Sequence, residues 1–69
     1  MSKYEALWKY IKKENSQKLI LSFDDIQSIN GIEIDHSFLN YKKELLDYGF
    51  SVGKISLKNR TVEFHKETI

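Results

Sequence analysis

"LSFDDIQSINGIEIDHSFLNYKKELLDYGF", residues 21–50, is the longest patterned stretch of the chain, and its punctuation sets the fold. Ser22 stands ahead of an apolar series, Phe23, Ile26 and Ile29, spaced for one face of a helix. A serine there accepts a hydrogen bond from the free N–H groups of the first turn, and Asp24 and Asp25 complement the positive end of the helix dipole. Gly31 after Asn30 is the expected stop, because glycine takes the left-handed conformation beyond a helix C-terminus without steric penalty. "IEID" reads as a turn, Asp35 as the cap of a third helix running to about Tyr48, and Gly49 as its end. Along that helix Phe38 or Leu39, Lys42, Leu45 and Leu46 lie near one face. His36, Ser37, Asn40, Tyr41, Lys43, Glu44 and Asp47 lie nearer the other.

Upstream, residues 3–14 carry Tyr4, Leu7, Trp8 and Ile11 at i, i+3, i+4 and i+7, the stripe of an amphipathic helix. Ser2 and Glu5 have the spacing of a capping box. The stripe places Trp8 in the core. Tyr4, Trp8, Tyr10 and Phe64 together are an alternative: an exposed aromatic patch that would mark a partner or self-association surface. "ENSQ" breaks the helix, and "KLILS", 18–22, is short and aliphatic, as a strand is.

Downstream, Phe50 and Val52 alternate in one phase and Ile55 and Leu57 in the other. One extra residue must lie between them, and Gly53 is the natural site of a β-bulge. "KNRT" is the turn of a hairpin pairing residues 51–57 with 61–65. Val62 and Phe64 continue its apolar face, and Glu63 and His65 point away, which leaves His65 solvated.

Sixty-nine residues make a single domain, 1–69, that buries about 60% of the surface its unfolded chain exposes. There is no cysteine, so neither disulfides nor Cys/His zinc sets hold it, and packing must. Apolar residues are 41% and aromatics 13%, enough for a small core. No apolar run exceeds three residues, as at Leu19–Leu21, so nothing spans a membrane. The start, "MSKYEALWKY", lacks the pattern of a signal peptide, and the expected compartment is cytoplasmic.

Net charge is +1, but unevenly placed. Residues 1–35 hold five Lys and six Asp or Glu, whereas residues 36–66 hold six Lys or Arg and three Asp or Glu. An anion-binding face is therefore expected on the C-terminal half.

Catalytic chemistry finds little purchase. His36 and His65 are far apart, no phosphate-cradling glycine loop occurs, and so small a domain scarcely encloses a pocket. An enzyme and a cofactor are not expected. Asp24, Asp25, Glu33 and Asp35 are explained by helix starts, and the ligand spacing of a calcium loop is absent, so no metal is expected.

The order helix, strand, helix, helix, strand, strand over residues 4–66 resembles the winged helix-turn-helix class, an α+β fold with three helices and a small three-stranded antiparallel sheet. The residues that carry the likeness are "LSFDDI…G…I…FL…KKELLDYGF…TVEF". More narrowly, Gly49–Phe64 ("GF.V..I.L....V.F"), with "Y..L..Y" near the start and "LSFDDI", is similar to a family of small uncharacterised bacterial domains. That family implies no activity. It usually carries a Trp-Trp pair and a longer insert after the third helix, both absent here.

The winged-helix resemblance implies a small DNA-binding regulator or accessory subunit. The third helix would enter the major groove with Ser37, Asn40, Tyr41 and Lys43, and the wing would hold phosphates with Lys54, Lys58 and Arg60. Asn40 suits adenine N6 and N7. Double-stranded DNA would be the partner, and a homodimer would read two half-sites. The alternative is a protein-interaction module, an adaptor or inhibitor of a larger complex, favoured by weak net charge and many aromatics.

Overall fold

The structure, a computed structural model, describes residues 3–67. Its elements in chain order are helix α1 (Glu5–Glu14), strand β1 (Lys18–Ser22), helix α2 (Phe23–Asn30), a short helix α3 (Phe38–Tyr41) continued by a 3-10 helix (Lys42–Tyr48), strand β2 (Phe50–Ser56) and strand β3 (Thr61–Lys66). The three strands form one antiparallel sheet in the order β1-β3-β2. The α+β class, the three helical segments and the three-stranded antiparallel sheet are those expected from the sequence.

α1 buries Leu7, Trp8 and Ile11, with Tyr4 buried just ahead of it. The expected cap Ser2 lies outside the described residues. Its proposed partner Glu5 pairs with Lys9 at 2.9 Å. Leu7 is the third residue of the helix, so its N–H has no acceptor within the helix. Asn30, at the far end of α2, supplies one: its Oδ1 accepts from Leu7 N–H at 3.3 Å, and its Nδ2 donates to the Lys3 carbonyl at 3.1 Å.

α2 starts as its sequence demands. Ser22 Oγ accepts from Asp25 N–H at 3.0 Å, and the Asp25 carboxylate accepts from Ser22 N–H at 3.4 Å. Gly31 ends the helix in the left-handed conformation, φ 82°. Ile26 is buried, and Phe23 and Ile29 are half-buried.

The third helix departs from expectation. Only Phe38–Tyr41 is α-helical, and Lys42–Tyr48 winds as a 3-10 helix before Gly49 turns the chain at φ 87°. A 3-10 helix aligns residues three apart along one edge. Here that edge is Lys42, Leu45 and Tyr48, with Leu45 fully buried and its two neighbours half-buried. Tight winding thus serves a narrow contact strip. Phe38 and Leu45 are core, whereas Leu39 and Leu46 are 51% and 55% exposed.

Asp35 holds the start of this segment. Its carboxylate accepts from the N–H and the hydroxyl of Ser37, and its carbonyl accepts from Phe38 N–H. Lys3 Nζ reaches the same carboxylate at 2.7 Å, and Tyr4 Oη donates to it at 3.2 Å. The Lys3 ammonium, then the Ser37 hydroxyl, hold the Asp35 carboxyl well below the usual carboxylate range. The same ion pair raises Lys3 above its ordinary value.

In the sheet, Leu19 and Val52 flank Phe64, and Leu21 and Ile55 flank Val62. Gly53 and Lys54 together stand opposite Glu63, which is the expected bulge. A Cβ at Gly53 would fall 2.5 Å from the His65 ring, so glycine lets that ring lie over the strand. His65 is therefore not simply solvated: it is half-buried, with Nε2 2.6 Å from the Glu63 carboxylate. The strands run 50–56 and 61–66 where 51–57 and 61–65 were expected, so Leu57 begins the turn.

The core is Tyr4, Leu7, Trp8, Ile11, Leu21, Ile26, Phe38, Leu45, Phe50, Val62 and Phe64. This overturns the aromatic-patch alternative. Tyr4, Trp8 and Phe64 are fully inside; Tyr4 meets the Phe38 ring edge-on at 5.3 Å between centroids, and Trp8 lies tilted against it at 5.8 Å.

Three outcomes follow for stability. Leu45→Ala removes a fully buried side chain and is expected to cost about 2–5 kcal/mol, most of the stability of a small domain, whereas Leu46→Ala stays near wild type. Circular dichroism melts of the two variants check the facing of the 3-10 helix. Asn30→Ala leaves the start of α1 without its acceptor and is expected to cost about 0.5–2 kcal/mol, the ordinary value of an N-cap. The loss of amide protection should concentrate at Leu7.

The third concerns pH. The folded-state pKa of Asp35 is depressed, so its contribution is complete above the unfolded carboxylate value of about 4 and is lost as pH falls through the folded value. Lys3 is raised, so its contribution is complete below the unfolded lysine value of about 10 and is lost as pH rises through the folded value. The difference in melting temperature between wild type and Asp35→Asn should hold across neutral pH and shrink in acid. A difference that persists unchanged at pH 2 would contradict the ion pair.

Candidate interaction surface

The segments that approach one another around Phe23 leave an open groove of about 650 Å³. Phe23 begins α2, Ile34 and His36 lie in the α2–α3 linker, Phe38 and Leu39 begin α3, and Ile55 and Leu57 belong to the β2–β3 hairpin. The Asp35 clasp fixes the linker side. On the hairpin side the Arg60 carbonyl accepts from Phe23 N–H at 2.8 Å, tying the turn to the start of α2. Ser56 Oγ accepts from Asn59 N–H at 3.2 Å, and Arg60 closes the turn in the left-handed region, φ 56°. Both walls are therefore held by hydrogen bonds.

The groove is lined mainly by carbon. Leu39 is 51% exposed and Leu57 78% exposed, while Phe23, Ile34 and Ile55 are half-buried. Exposed apolar side chains scattered singly are ordinary, but several gathered in one concavity mark a binding surface.

The structure divides the seven residues expected to meet DNA. Ser37 is half-buried, its hydroxyl donating to Asp35 and accepting from Lys3 at 3.1 Å. Tyr41 is half-buried, its ring 5.8 Å from that of Tyr4. These two lean on the fold. Asn40 and Lys43 are exposed on the helix, and Lys54, Lys58 and Arg60 are exposed on the hairpin. Lys43, Lys54, Lys58 and Arg60 make no ion pair among the described residues. Arg60 lies with its guanidinium 5.6 Å from the Phe23 ring centroid, a cation–π distance. Glu44, on the polar face of the third helix, accepts from Trp8 Nε1 at 3.2 Å.

A second, smaller cleft of about 210 Å³ lies between α1 and the 3-10 helix, lined by Glu5, Trp8, Glu44, Asp47 and Tyr48. Among the described residues no group of three His, Cys, Asp or Glu is placed to hold a metal ion. Among the described residues no helix is long and apolar enough to cross a membrane.

Leu39, Leu57, Ile34 and Phe23 are the groove residues that sequence reasoning missed as a site. Leu57 continues the alternation of Ile55, so it reads as an inward strand position. Its one-residue displacement into the turn uncovers it. Leu39 competes with Phe38 for one inward position, and only the start of α3 decides between them.

No family model matches the chain, and neither a curated protein nor a solved structure is significantly similar to it.

Proposed function

We propose that this chain is a protein-interaction module of winged helix-turn-helix type, whose contact surface is the groove between the third helix and the hairpin. The observation that carries the reading is the pair Leu39 and Leu57, both more than half exposed on one concave apolar face. The winged reading is supported by the element order and by β1 pairing with β3, which makes β2–β3 a projecting hairpin. It departs from the usual form in the third helix, most of which is 3-10 wound. An adaptor or inhibitor of a larger complex fits this surface: shape and carbon contact carry the affinity, and no catalytic group is required.

Duplex DNA binding, as a small regulator, is the second reading. It is favoured by the cations Lys43, Lys54, Lys58 and Arg60, which make no ion pair among the described residues, and by the exposed Asn40.

Two double variants separate the readings, because all four side chains are exposed and folding should survive their loss. Leu39→Ser with Leu57→Ser removes the apolar flanks. Lys58→Ala with Arg60→Ala removes the hairpin charge. A protein module keeps its partner as salt rises and loses it with the leucines. A DNA binder weakens steeply with salt, and loss of the two cations makes the salt slope shallower by about two units. Fluorescence anisotropy with pooled duplexes, beside co-purification of each variant, reads both. DNA binding that ignores the leucines and vanishes with the cations would replace the first reading by the second.

A further inference from the structure

We propose that the groove receives an acidic amphipathic protein segment, its large apolar side chains on the groove floor and its carboxylates against Lys58 and Arg60. This rests on the protein-interaction reading and adds the chemistry of the partner.

The floor is Phe23, Ile34, Phe38 and Ile55, with Leu39 and Leu57 as flanks. Its volume of about 650 Å³ lies within the range of well-filled binding pockets, about 300–1,000 Å³. A floor of this kind is covered by aliphatic or aromatic side chains. The recurrent arrangement is a helix that lays one apolar face into a groove.

Charge selects among such segments. Arg60 places its guanidinium over the Phe23 ring, at the edge of the floor. Lys58 follows Leu57 in the same turn. Neither cation makes an ion pair among the described residues. The one carboxylate that lines the groove, Asp35, is already bound by Lys3 and Ser37. Arg60, over the Phe23 ring, is therefore the charged group that the structure puts against the floor without an ion-pair partner among the described residues, and it sits at the hairpin end. A segment seated there removes water from Arg60, which is unfavourable unless an anion replaces that water. A carboxylate does so, and a basic segment is repelled.

Rigidity supports the same assignment. The hydrogen bond from Phe23 N–H to the Arg60 carbonyl holds the turn, so the cation is presented without ordering a loop on binding. Duplex phosphates also neutralise these cations, but they leave Leu39 and Leu57 uncovered and wet. A protein segment satisfies both halves of the surface at once.

Three labelled synthetic peptides test this, each with leucines at i, i+3, i+4 and i+7. One carries glutamates at one end, the second lysines, the third serines. Fluorescence anisotropy should rank the glutamate peptide first, about threefold to tenfold over the serine peptide at low salt, with the margin narrowing as salt rises. Lys58→Glu with Arg60→Glu should invert the ranking in favour of the lysine peptide. Leu39→Ser with Leu57→Ser should weaken all three. A melting curve shows that each variant is folded, and Lys58→Glu alone should reduce the margin where the double variant is not.

Equal binding of the three peptides, still dependent on the leucines, overturns the acidic partner and leaves the protein-interaction reading standing. Binding of no peptide, or binding that ignores the leucines, overturns both. Leucine-dependent self-association in sedimentation that excludes the peptides assigns the groove to a second copy and overturns the proposal. So does duplex DNA binding that is tighter than any peptide and indifferent to the leucines.

Discussion

Everything in this fold is arranged around the ring and hydroxyl of Tyr4. The ring is fully buried and touches Trp8, Phe38 and Tyr41, with centroids 5.3–5.8 Å away. The hydroxyl donates to the Asp35 carboxylate and accepts from Asp35 N–H. The residue before it, Lys3, binds Asp35 through its ammonium and Asn30 through its carbonyl. One dipeptide at the head of α1 thus meets the end of α2, the linker and the start of the third helix. A domain of this size without disulfides needs such a hub, because its core is too small for many independent contacts.

The hub also explains the polar inventory of the third helix. In a helix that reads DNA, residues such as Ser37, Tyr41 and Glu44 face outward. Here they turn inward: Ser37 bonds to Asp35, Tyr41 packs on Tyr4 and Glu44 accepts from the Trp8 indole. Trp8 is wholly buried, and its N–H needs an acceptor, which only a polar residue on the facing helix supplies. The polar face is partly an internal face. Lys54, Lys58 and Arg60, on a hairpin away from the hub, keep their charge toward water.

Local rules carried most of the fold because most elements obey them separately. "KLILS" is the observed strand, Ser22 with Asp25 the observed cap, Gly31 and Gly49 the observed stops, and the phase change at Gly53 the observed bulge. What escaped is non-local. Asn30 caps α1 across 23 residues of chain, so neither helix end announces it. The 3-10 winding of Lys42–Tyr48 answers to one buried edge, and KKELLDY suits an α-helix equally well by propensity. His65 over Gly53 needs the bulge and the register together. The candidate cations were legible as charges. The groove beside them was not, because most of its carbon side chains occupy positions that pattern alone assigns to the core, and Ile34 falls in a stretch that reads as a turn.

The exposed leucines are the residues for which folding supplies no reason. Ile20 and Leu46 are about as exposed as Leu39, but they lie outside the groove, and single apolar residues on a surface are ordinary. Leu39 and Leu57 differ because they flank one concavity floored by Phe23, Phe38 and Ile55. Neither belongs to the buried core. A lysine or serine at either place would leave the core unchanged and lower the tendency to aggregate. The fold nevertheless holds these leucines apart on two elements clamped by hydrogen bonds, Leu39 behind the Asp35 clasp and Leu57 ahead of the Arg60–Phe23 tie. A surface that is apolar, concave and held in shape before anything occupies it is what association requires, since ordering the surface would otherwise oppose binding.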